Sequence, residues 1–415
     1  MLIVGCLFLS ACASIRYSEN LEDYDSEVAD LQARISKNPA DANAMRDLGV
    51  IYLRTHNDAR AFEQLQRAYA LDSTDPATMY YLGMASEMVG KRDTAIRLYG
   101  HYIDVPSSSD FRSKMQGRQA VLEKDQVHAE VRALLANEAT MTGNEPSAKV
   151  VAVFPLTYHG GDEQYQTIGR GLGEMLTVDL ANVSQLKVVE RIRVQTLLDE
   201  LKLAESQFVD SSTAPRVGRL IGAGRVVGGS YSVMNKKLSV DAAIVDLANQ
   251  SPPTLNESDA LTNFFRLEKQ LAFSVIRELG VELTPEERET IERIPTKNLQ
   301  AFLAYSRGLE REDAGDLKGA ASRYQQAGKM DPTFEAATSR AETVETMSDA
   351  MGTPQMLLSA SFASVSPPSL DLVGDRIQTM NTNLGSSFVP GQDARTPTRD
   401  GLGELPLPPR PPDNR

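Results

Sequence analysis

Between residues 147 and 283 the apolar positions follow two periods in turn, one typical of strands and one typical of helices. Short apolar runs predict buried strands at 149–155, 185–190, 225–233 and 237–246. Apolar residues at helical spacing predict helices at 168–183, 192–203, 213–221 and 264–279. Met234-Asn235-Lys236 predicts a hairpin turn, and the polar connection 247–263, which contains Pro252-Pro253, predicts a loop. This order predicts a compact α/β domain of two or three layers.

A repeated pattern precedes this region and returns after it. Leu48-Gly49 recurs as Leu82-Gly83 and Ala61 recurs as Ala95, an offset of 34 residues in both cases. The spacing resembles the tetratricopeptide repeat (TPR), a pair of antiparallel helices with small residues at their crossing. The packing positions predicted for these repeats and for a third copy downstream are Leu48, Gly49, Tyr52, Ala61, Ala68, Leu82, Gly83, Ala95, Gly308, Ala320, Ala327 and Pro332. Helical segments at 20–37 and 113–138 are expected to flank the N-terminal pair.

The α/β region also resembles a known family in the order of its motifs. The motifs are Val151-Ala-Val-Phe-Pro155, Gly169-x-Gly171-Leu172-x-x-Met175-Leu176, Val188-Val189-Glu190-Arg191, Leu197-Leu198-x-Glu200 and Gly222-Ala223-x-x-Val226-Val227-x-Gly229-Ser230. Over most of 148–280 they are similar to the CsgG-type domain of curli-secretion lipoproteins. The secretion channels of that family carry two long hairpin insertions, and the short connections here leave no room for them. The resemblance therefore implies the core of the family without its pore.

The first residues carry a separate signal. A short apolar run ends in Leu9-Ser10-Ala11-Cys12, which resembles a bacterial lipobox. The run is too short to span a bilayer and is interpreted as a signal peptide over residues 1–11. The resemblance implies cleavage before Cys12 and acylation of its sulfur, so that lipid alone attaches the chain to a membrane. The next residue is Ala13 rather than aspartate, which by analogy with lipoprotein sorting implies the outer membrane, and attachment at its periplasmic face is expected.

Composition narrows the function classes. The net charge is −13, and no basic block is present to neutralise phosphates, which argues against nucleic-acid binding. Cys6 and Cys12 are the two cysteines of the chain, so neither a disulfide nor a thiolate metal site is expected in the folded part. The four histidines lie in unrelated contexts. No catalytic residue, metal site or cofactor is predicted, and the chain is not expected to be an enzyme.

Two motifs left chemical alternatives to weigh. Gly169-Arg-Gly-Leu-Gly173 opens a helix after a strand, where a dinucleotide phosphate could bind. Its spacing departs from the dinucleotide fingerprint, so close packing of helix and sheet is the favoured interpretation. Glu190-Arg191 is interpreted as an ion pair at a strand end rather than a catalytic acid with its partner.

The sequence thus predicts an α+β multidomain protein in which TPR-like helical hairpins flank a compact α/β CsgG-like domain. The predicted domains are 1–11 (signal peptide), 12–140 (TPR-like), 147–283 (CsgG-like), 297–345 (TPR-like hairpin) and 346–415 (disordered Pro-rich tail). The expected function is assembly, scaffolding or secretion support in the cell envelope, with protein partners bound by the TPR surface and self-association left open. The alternatives are a periplasmic accessory of a curli-like export channel and a nucleotide- or sugar-binding enzyme.

Overall fold

The structure is a computed structural model that describes residues 20–140, 146–203, 213–247 and 254–363. Contacts divide these residues into an N-terminal unit, made of 20–119 with 349–363, and a core unit, made of the described part of 120–348. The predicted signal peptide, Cys12 and the tail from residue 364 lie outside the described residues. Within the ranges that the structure describes, no helix has both the length and the apolar character needed to cross a membrane.

Helices make up most of both units. In chain order they are α1 (Asp25–Lys37), α2 (Ala42–Arg54), α3 (Asp58–Leu71), α4 (Pro76–Met88), α5 (Arg92–Gly100), α6 (Asp110–Asn137), α7 (Ile168–Ala181), α8 (Arg191–Glu200), α9 (Thr213–Leu220), α10 (Phe264–Glu278), α11 (Pro285–Glu292), α12 (Leu299–Asp313), α13 (Leu317–Met330), α14 (Glu335–Asp349) and α15 (Pro354–Ala363). The strands are β1 (Ser147–Val153), β2 (Thr157–Tyr158), β3 (Lys187–Val188), β4 (Ala223–Met234), β5 (Lys237–Asp246) and β6 (Thr254–Ala260).

The repeats predicted from the sequence form helical hairpins, α2 with α3 and α4 with α5 in the N-terminal unit and α12 with α13 in the core unit. An aspartate caps the first helix of each N-terminal hairpin, since the side chain of Asp41 accepts from the N–H of Ala44 and that of Asp75 accepts from Thr78. Pro76 at the first position of α4 already has the helical φ angle. Local sequence therefore sets where these helices begin.

The small residues of the repeats lie where the helices cross. A Cβ added at Gly49 would lie 2.6 Å from Cγ of Leu65, and one at Gly83 or Gly308 would overlap the ring of Tyr99 or Tyr324. The other predicted packing positions are buried, namely Leu48, Tyr52, Ala61, Ala68, Leu82, Ala95, Ala320 and Ala327. Pro332 is the exception, because it is exposed in the turn after α13. It marks the end of a helix and takes no part in the packing.

The core unit is built on a mixed sheet with the strand order β3-β1-β4-β5-β6, and β2 pairs with β4. β1 runs parallel to β3 and β4, whereas β4, β5 and β6 are antiparallel. On one face, β1 and β4 pack against α8, α9 and the end of α6 in a single apolar cluster. The intervening β1 residues Val151 and Val153 are also buried, and α7 and α10 contact the sheet there. The domain therefore has three layers, with helices on both faces of the sheet.

Two features of the core unit differ from the sequence prediction. Residues 254–260 of the predicted loop form β6, which pairs with β5 from Thr254 opposite Ala243 to Ala260 opposite Lys237. β5 is therefore an inner strand, and β6 is the edge of the sheet. The predicted hairpin turn is present, with positive φ angles at Asn235 and Lys236, as a tight two-residue turn requires.

The predicted start of the disordered tail is also wrong. Residues 346–363 contain the end of α14 and the whole of α15. α15 has its own start signal, because Thr353 Oγ1 accepts from the N–H of Met356 and Pro354 follows it. The described part of this segment is therefore helical.

The repeat packing predicts the effect of enlarging a small residue. Ala61→Leu should lower the stability of the N-terminal unit by about 1–3 kcal/mol, because the site is fully buried at a helix crossing. Thermal and urea unfolding would measure the change. Ala59→Leu, at an exposed position of the same helix, is the matched control and should change stability by less than about 0.5 kcal/mol. Equal melting of both variants would contradict this repeat register.

Candidate functional site

The candidate site is the junction between the CsgG-like sheet domain and the hairpin α12–α13, both within the core unit. α7 carries the glycine cluster that the sequence offered as a phosphate site. A Cβ at Gly169 would overlap the carbonyl oxygen of Leu156, and one at Gly171 would overlap the side chains of Phe302 and Ser306 on α12. These glycines let α7 approach the strand end on one side and α12 on the other. The packing interpretation fits this geometry.

A carboxylate whose side chain is 11% exposed lies at the end of α12, next to this contact. Glu312 accepts from the Tyr324 hydroxyl (2.6 Å) and from Nε and Nη2 of Arg340 (2.9 and 3.1 Å). Burial alone would raise the pKa of Glu312, but the charges of Arg340 and Arg191 outweigh it and lower the pKa to about 2. Burial also raises the pKa of Tyr324 well above its ordinary value, so the hydroxyl stays protonated and donates. We call Glu312, Tyr324 and Arg340 the core clasp.

Ion pairs connect the core clasp to the sheet domain. Arg340 Nη1 lies 3.6 Å from Glu174 on α7, whose other oxygen is 3.0 Å from Nε of Arg191. Arg191 Nη1 donates to Asp313 (2.6 Å), and Arg170 Nε lies 3.3 Å from the same carboxylate. The set has three arginines and three carboxylates and is therefore neutral. Burial disfavours the charge on Arg191, but Asp313 and Glu174 raise its pKa above the ordinary value.

The sequence prediction paired Arg191 with Glu190, whereas its guanidinium reaches Glu174 and Asp313. Arg191 begins α8 at the carboxyl end of the sheet, and Asp313 ends α12. The two residues are 122 positions apart, so no local spacing could have joined them. Charged groups of α7, α8, α12 and α14 thus meet in one partly buried network, which attaches the hairpin to the sheet domain.

The same constellation recurs in the N-terminal unit. Glu87 accepts from the Tyr99 hydroxyl (2.9 Å) and from Nε and Nη2 of Arg118 (2.9 and 2.5 Å). The tyrosine follows the glutamate by 12 residues in both clasps. In both, a glycine four positions before the glutamate, Gly83 or Gly308, packs on the tyrosine ring. We call Glu87, Tyr99 and Arg118 the N-terminal clasp. The shared Gly-x-x-x-Glu and Tyr spacing is a sequence signal that could have found the glutamate and the tyrosine of both clasps.

A second buried charged cluster joins α7 to α10. Lys269 Nζ lies 2.9 and 2.8 Å from the two oxygens of Asp179 and 3.4 Å from Glu268. Glu268 is fully buried. Burial, reinforced by the charge of Asp179, raises the pKa of Glu268 well above its ordinary value. One lysine thus serves two carboxyl groups.

A shallow cleft with a volume of about 10 Å³, partly open to solvent, lies at the carboxyl end of β1. Its lining includes Val153, Pro155, Arg170, Arg191 and Gln195. Pockets that bury small-molecule ligands usually span about 300–1,000 Å³ and enclose most of the ligand. This cleft is smaller and open, and its two arginines are already engaged in the neutral network.

Comparison with known proteins agrees with this division of the chain. Residues 136–242 match the family described as curli production assembly/transport component CsgG. The matched segment runs from the end of α6 into β5 and so covers the parallel part of the sheet. The chain therefore contains a CsgG-like domain, as its motifs indicated. Comparison with curated proteins finds no match.

Two solved structures are distantly similar. The LpoB C-terminal domain from Salmonella enterica is 15% identical, with 31% of this chain and 95% of that chain covered and a TM-score of 0.24. A tetratricopeptide repeat protein from Parabacteroides merdae is 14% identical, with 78% of this chain and 93% of that chain covered and the same TM-score of 0.24. Similarities of this degree support no functional conclusion.

The core clasp predicts an acid-sensitive contribution to stability. Because folding lowers the pKa of Glu312, its ionised form stabilises the core unit above pH 4.5, and this contribution is lost as the pH falls towards about 2. Glu312→Gln should cost about 3–5 kcal/mol at neutral pH, and the cost should shrink in that acid window. Urea unfolding from pH 2.5 to 8 would measure it. Glu310→Gln, an exposed position on α12, is the control. A cost that does not vary with pH would contradict the ionic role.

The charged cluster between α7 and α10 predicts that stability depends on pH in the opposite direction. Because folding raises the pKa of Glu268, stability falls as the pH rises above 4.5, by up to about 1.4 kcal/mol per pH unit until the pKa of the folded state is reached. Glu268→Gln removes this penalty, so the variant should be more stable than the wild type at pH 7–8 and equally stable below pH 4.5. The same titration of unfolding would test it, with the exposed Glu278→Gln as control. Destabilisation by Glu268→Gln at pH 8 would contradict the raised pKa of Glu268.

Proposed function

We propose that this chain is a cell-envelope lipoprotein that acts as a scaffold, in assembly or secretion support, through contacts with other proteins. The observation that carries the proposal is the junction described above, in which a CsgG-like domain holds a helical hairpin through a partly buried, neutral charge network. Such a junction fixes the hairpin in one orientation, as a scaffold requires. In this proposal the chain is not an enzyme and uses neither a metal nor a cofactor.

Two further features support this function. The family name of the matched segment refers to curli production, assembly and transport, which are processes of the cell envelope. Helical repeats present extended surfaces to which proteins bind, and the N-terminal unit contains two such hairpins. The lipobox-like Leu9-Ser10-Ala11-Cys12 supports attachment by lipid at the periplasmic face of the outer membrane. Self-association stays open within this proposal.

A second candidate is a periplasmic accessory of a curli-like export channel, and the same family match favours it. It differs from the first candidate in its partner and shares its mode of action. The nucleotide- or sugar-binding alternative has less support, because the glycines that suggested it are occupied by packing against Leu156 and α12. A thermal-shift panel of nucleotides and sugars tests that alternative, since a ligand at a hundredfold excess over its Kd stabilises by about 2.7 kcal/mol.

The lipid anchor gives the proposal its most direct test. Cys12→Ser removes the sulfur that would carry the acyl chain, so the protein should move from the outer-membrane fraction to the soluble periplasmic fraction. Labelled palmitate should mark the wild type and not the variant. Cys6→Ser is the matched control, because it removes the other cysteine and should leave both results unchanged.

Scaffolding is tested on the same strains by chemical crosslinking in intact cells, followed by purification in mild detergent. Envelope proteins should be crosslinked to the wild type and to Cys6→Ser in constant proportion, and their recovery should fall with Cys12→Ser. A wild type that is soluble and unlabelled would refute the anchor. A membrane-bound wild type that yields no crosslinked protein would refute the scaffold.

A further inference from the structure

Residues 349–363 belong to the N-terminal unit, although more than 230 positions separate them from the residue that holds them. Arg118 Nη1 donates to the carbonyl oxygens of Ala350 (3.0 Å) and Gly352 (2.8 Å). Its Nε and Nη2 are occupied by Glu87 of the N-terminal clasp. Arg118 is itself buried. We call residues 349–363 the strap, since the clasp arginine fastens it at its start.

The strap covers an apolar helix. α15 contacts α4, all of whose residues from Ala77 to Ser86 are buried. A helix that is apolar around its whole circumference must be covered on every side. α3 and α5 flank α4, and the Phe111 ring packs on Tyr80 and Tyr81. Among the side chains described in α15, Leu358 is buried, with 4% of its surface exposed, whereas Met356 on the other side is 63% exposed.

The two clasps show what the helix of the clasp glutamate contacts. In the core unit, the helix that carries the clasp glutamate, α12, receives the glycine-lined α7, and the clasp arginine reaches Glu174 of that same helix. In the N-terminal unit, α4 carries the clasp glutamate and receives α15, and the clasp arginine reaches the start of the strap. In both units a segment from elsewhere in the chain is therefore held against the helix of the clasp glutamate, and the clasp arginine takes part in the contact.

The two helices, α7 and α15, are held by different kinds of contact. α7 is interlocked through Gly171 and joined by ion pairs to Arg340 and Arg191. The strap is held by hydrogen bonds from Arg118 to main-chain carbonyls and by burial of Leu358. Every polypeptide has main-chain carbonyls. The hydrogen bonds from Arg118 therefore depend little on the sequence of the segment that accepts them. Another helix that is preceded by free carbonyls can make the same hydrogen bonds with Arg118.

We propose that the face of α4 beside the N-terminal clasp is a binding site for a helix of a partner protein, and that the strap is its resident, displaceable occupant. The partner helix that fits is short and amphipathic, with a leucine in the place of Leu358 beside small residues such as Ser359 and Ala360. Free carbonyls before its first turn would accept from Arg118. The proposal names the surface through which the proposed scaffold contacts other proteins, and it rests on that function.

The test measures exposure of the strap by thiol labelling of the full-length chain. Cys6→Ser with Cys12→Ser removes both native thiols. Into this background Leu358→Cys and Met356→Cys are introduced separately, and their rates of reaction with a maleimide are compared. Leu358→Cys should react at no more than about one tenth of the rate of Met356→Cys. Burial of one such side chain lowers the population of the open strap by about that factor. Met356→Cys reports the rate of an exposed thiol in the same helix.

Displacement is then tested in two ways. Gly352 has a φ of +115°, which other residues rarely adopt, so Gly352→Ala strains the strap at a carbonyl that accepts from Arg118 and changes no residue of α4 or of the clasp. It should raise the labelling rate of Leu358→Cys severalfold. A synthetic peptide of residues 349–363, added in excess, should raise the same rate by occupying α4 whenever the strap opens. The peptide carrying Leu358→Asp should have no effect.

Each outcome decides the proposal. Equal rates for Leu358→Cys and Met356→Cys would mean that the strap does not cover α4. A protected Leu358→Cys that responds to neither Gly352→Ala nor the peptide would mean that α15 is a fixed part of the core. A response to Gly352→Ala without a response to the peptide would mean that α4 accepts no other helix. All three overturn the proposal. Because labelling needs neither lipid nor partner, these results are independent of the anchor and crosslinking experiments.

Discussion

A carboxylate that is largely removed from water must be neutralised and hydrogen-bonded by its neighbours. Glu312 is such a carboxylate, and the structure of the core unit depends on the contacts that satisfy it. Its oxygens are satisfied by Tyr324 and by two nitrogens of Arg340. The third nitrogen of Arg340, Nη1, lies near Glu174. Glu174 is paired with Arg191, which is in turn paired with Asp313. Removal of any one member would leave an unpaired charge in a buried site, which is costly. We therefore expect the hairpin and the sheet domain to fold cooperatively.

The glycines of α7 make that network possible. The backbones of α7 and α12 can approach closely because Gly171 has no side chain to meet Phe302 and Ser306. The close approach brings Glu174 within reach of Arg340, and it brings the first residue of α8 to the last residue of α12. The motif that first suggested a phosphate site thus has a structural use here. The CsgG-like domain of this chain includes a helical hairpin in its folded unit.

Periodicity was sufficient to predict the parts of the fold whose burial is local. β5 was predicted with the bounds it has in the structure, and the turn at Asn235-Lys236 was correctly located. Small residues at a constant offset located the hairpins, because a helix crossing excludes large side chains at fixed positions. β6 escaped prediction because Thr254–Ala260 is polar along its length, as an exposed edge strand tends to be.

Features that depend on distant partners could not be predicted. Arg191 has no local sign of its partner Asp313, and α15 was hidden in a segment rich in serine and proline. The clasps are an intermediate case. Their glycine, glutamate and tyrosine keep a constant spacing, but the arginine that completes each one comes from a later helix, α6 or α14. Sequence comparison of the two repeats could have found the first three residues and not the fourth.

The central claim is that the partly buried charge network makes the sheet domain and the hairpin α12–α13 a single cooperative unit. Native-state hydrogen exchange tests this claim most directly, because it measures the opening free energy of each segment. The account predicts that amides of α12 and of β1 and β4 exchange with the same opening free energy and the same dependence on denaturant. Exchange of α12 through a separate opening of lower free energy, with β1 and β4 still protected, would contradict it.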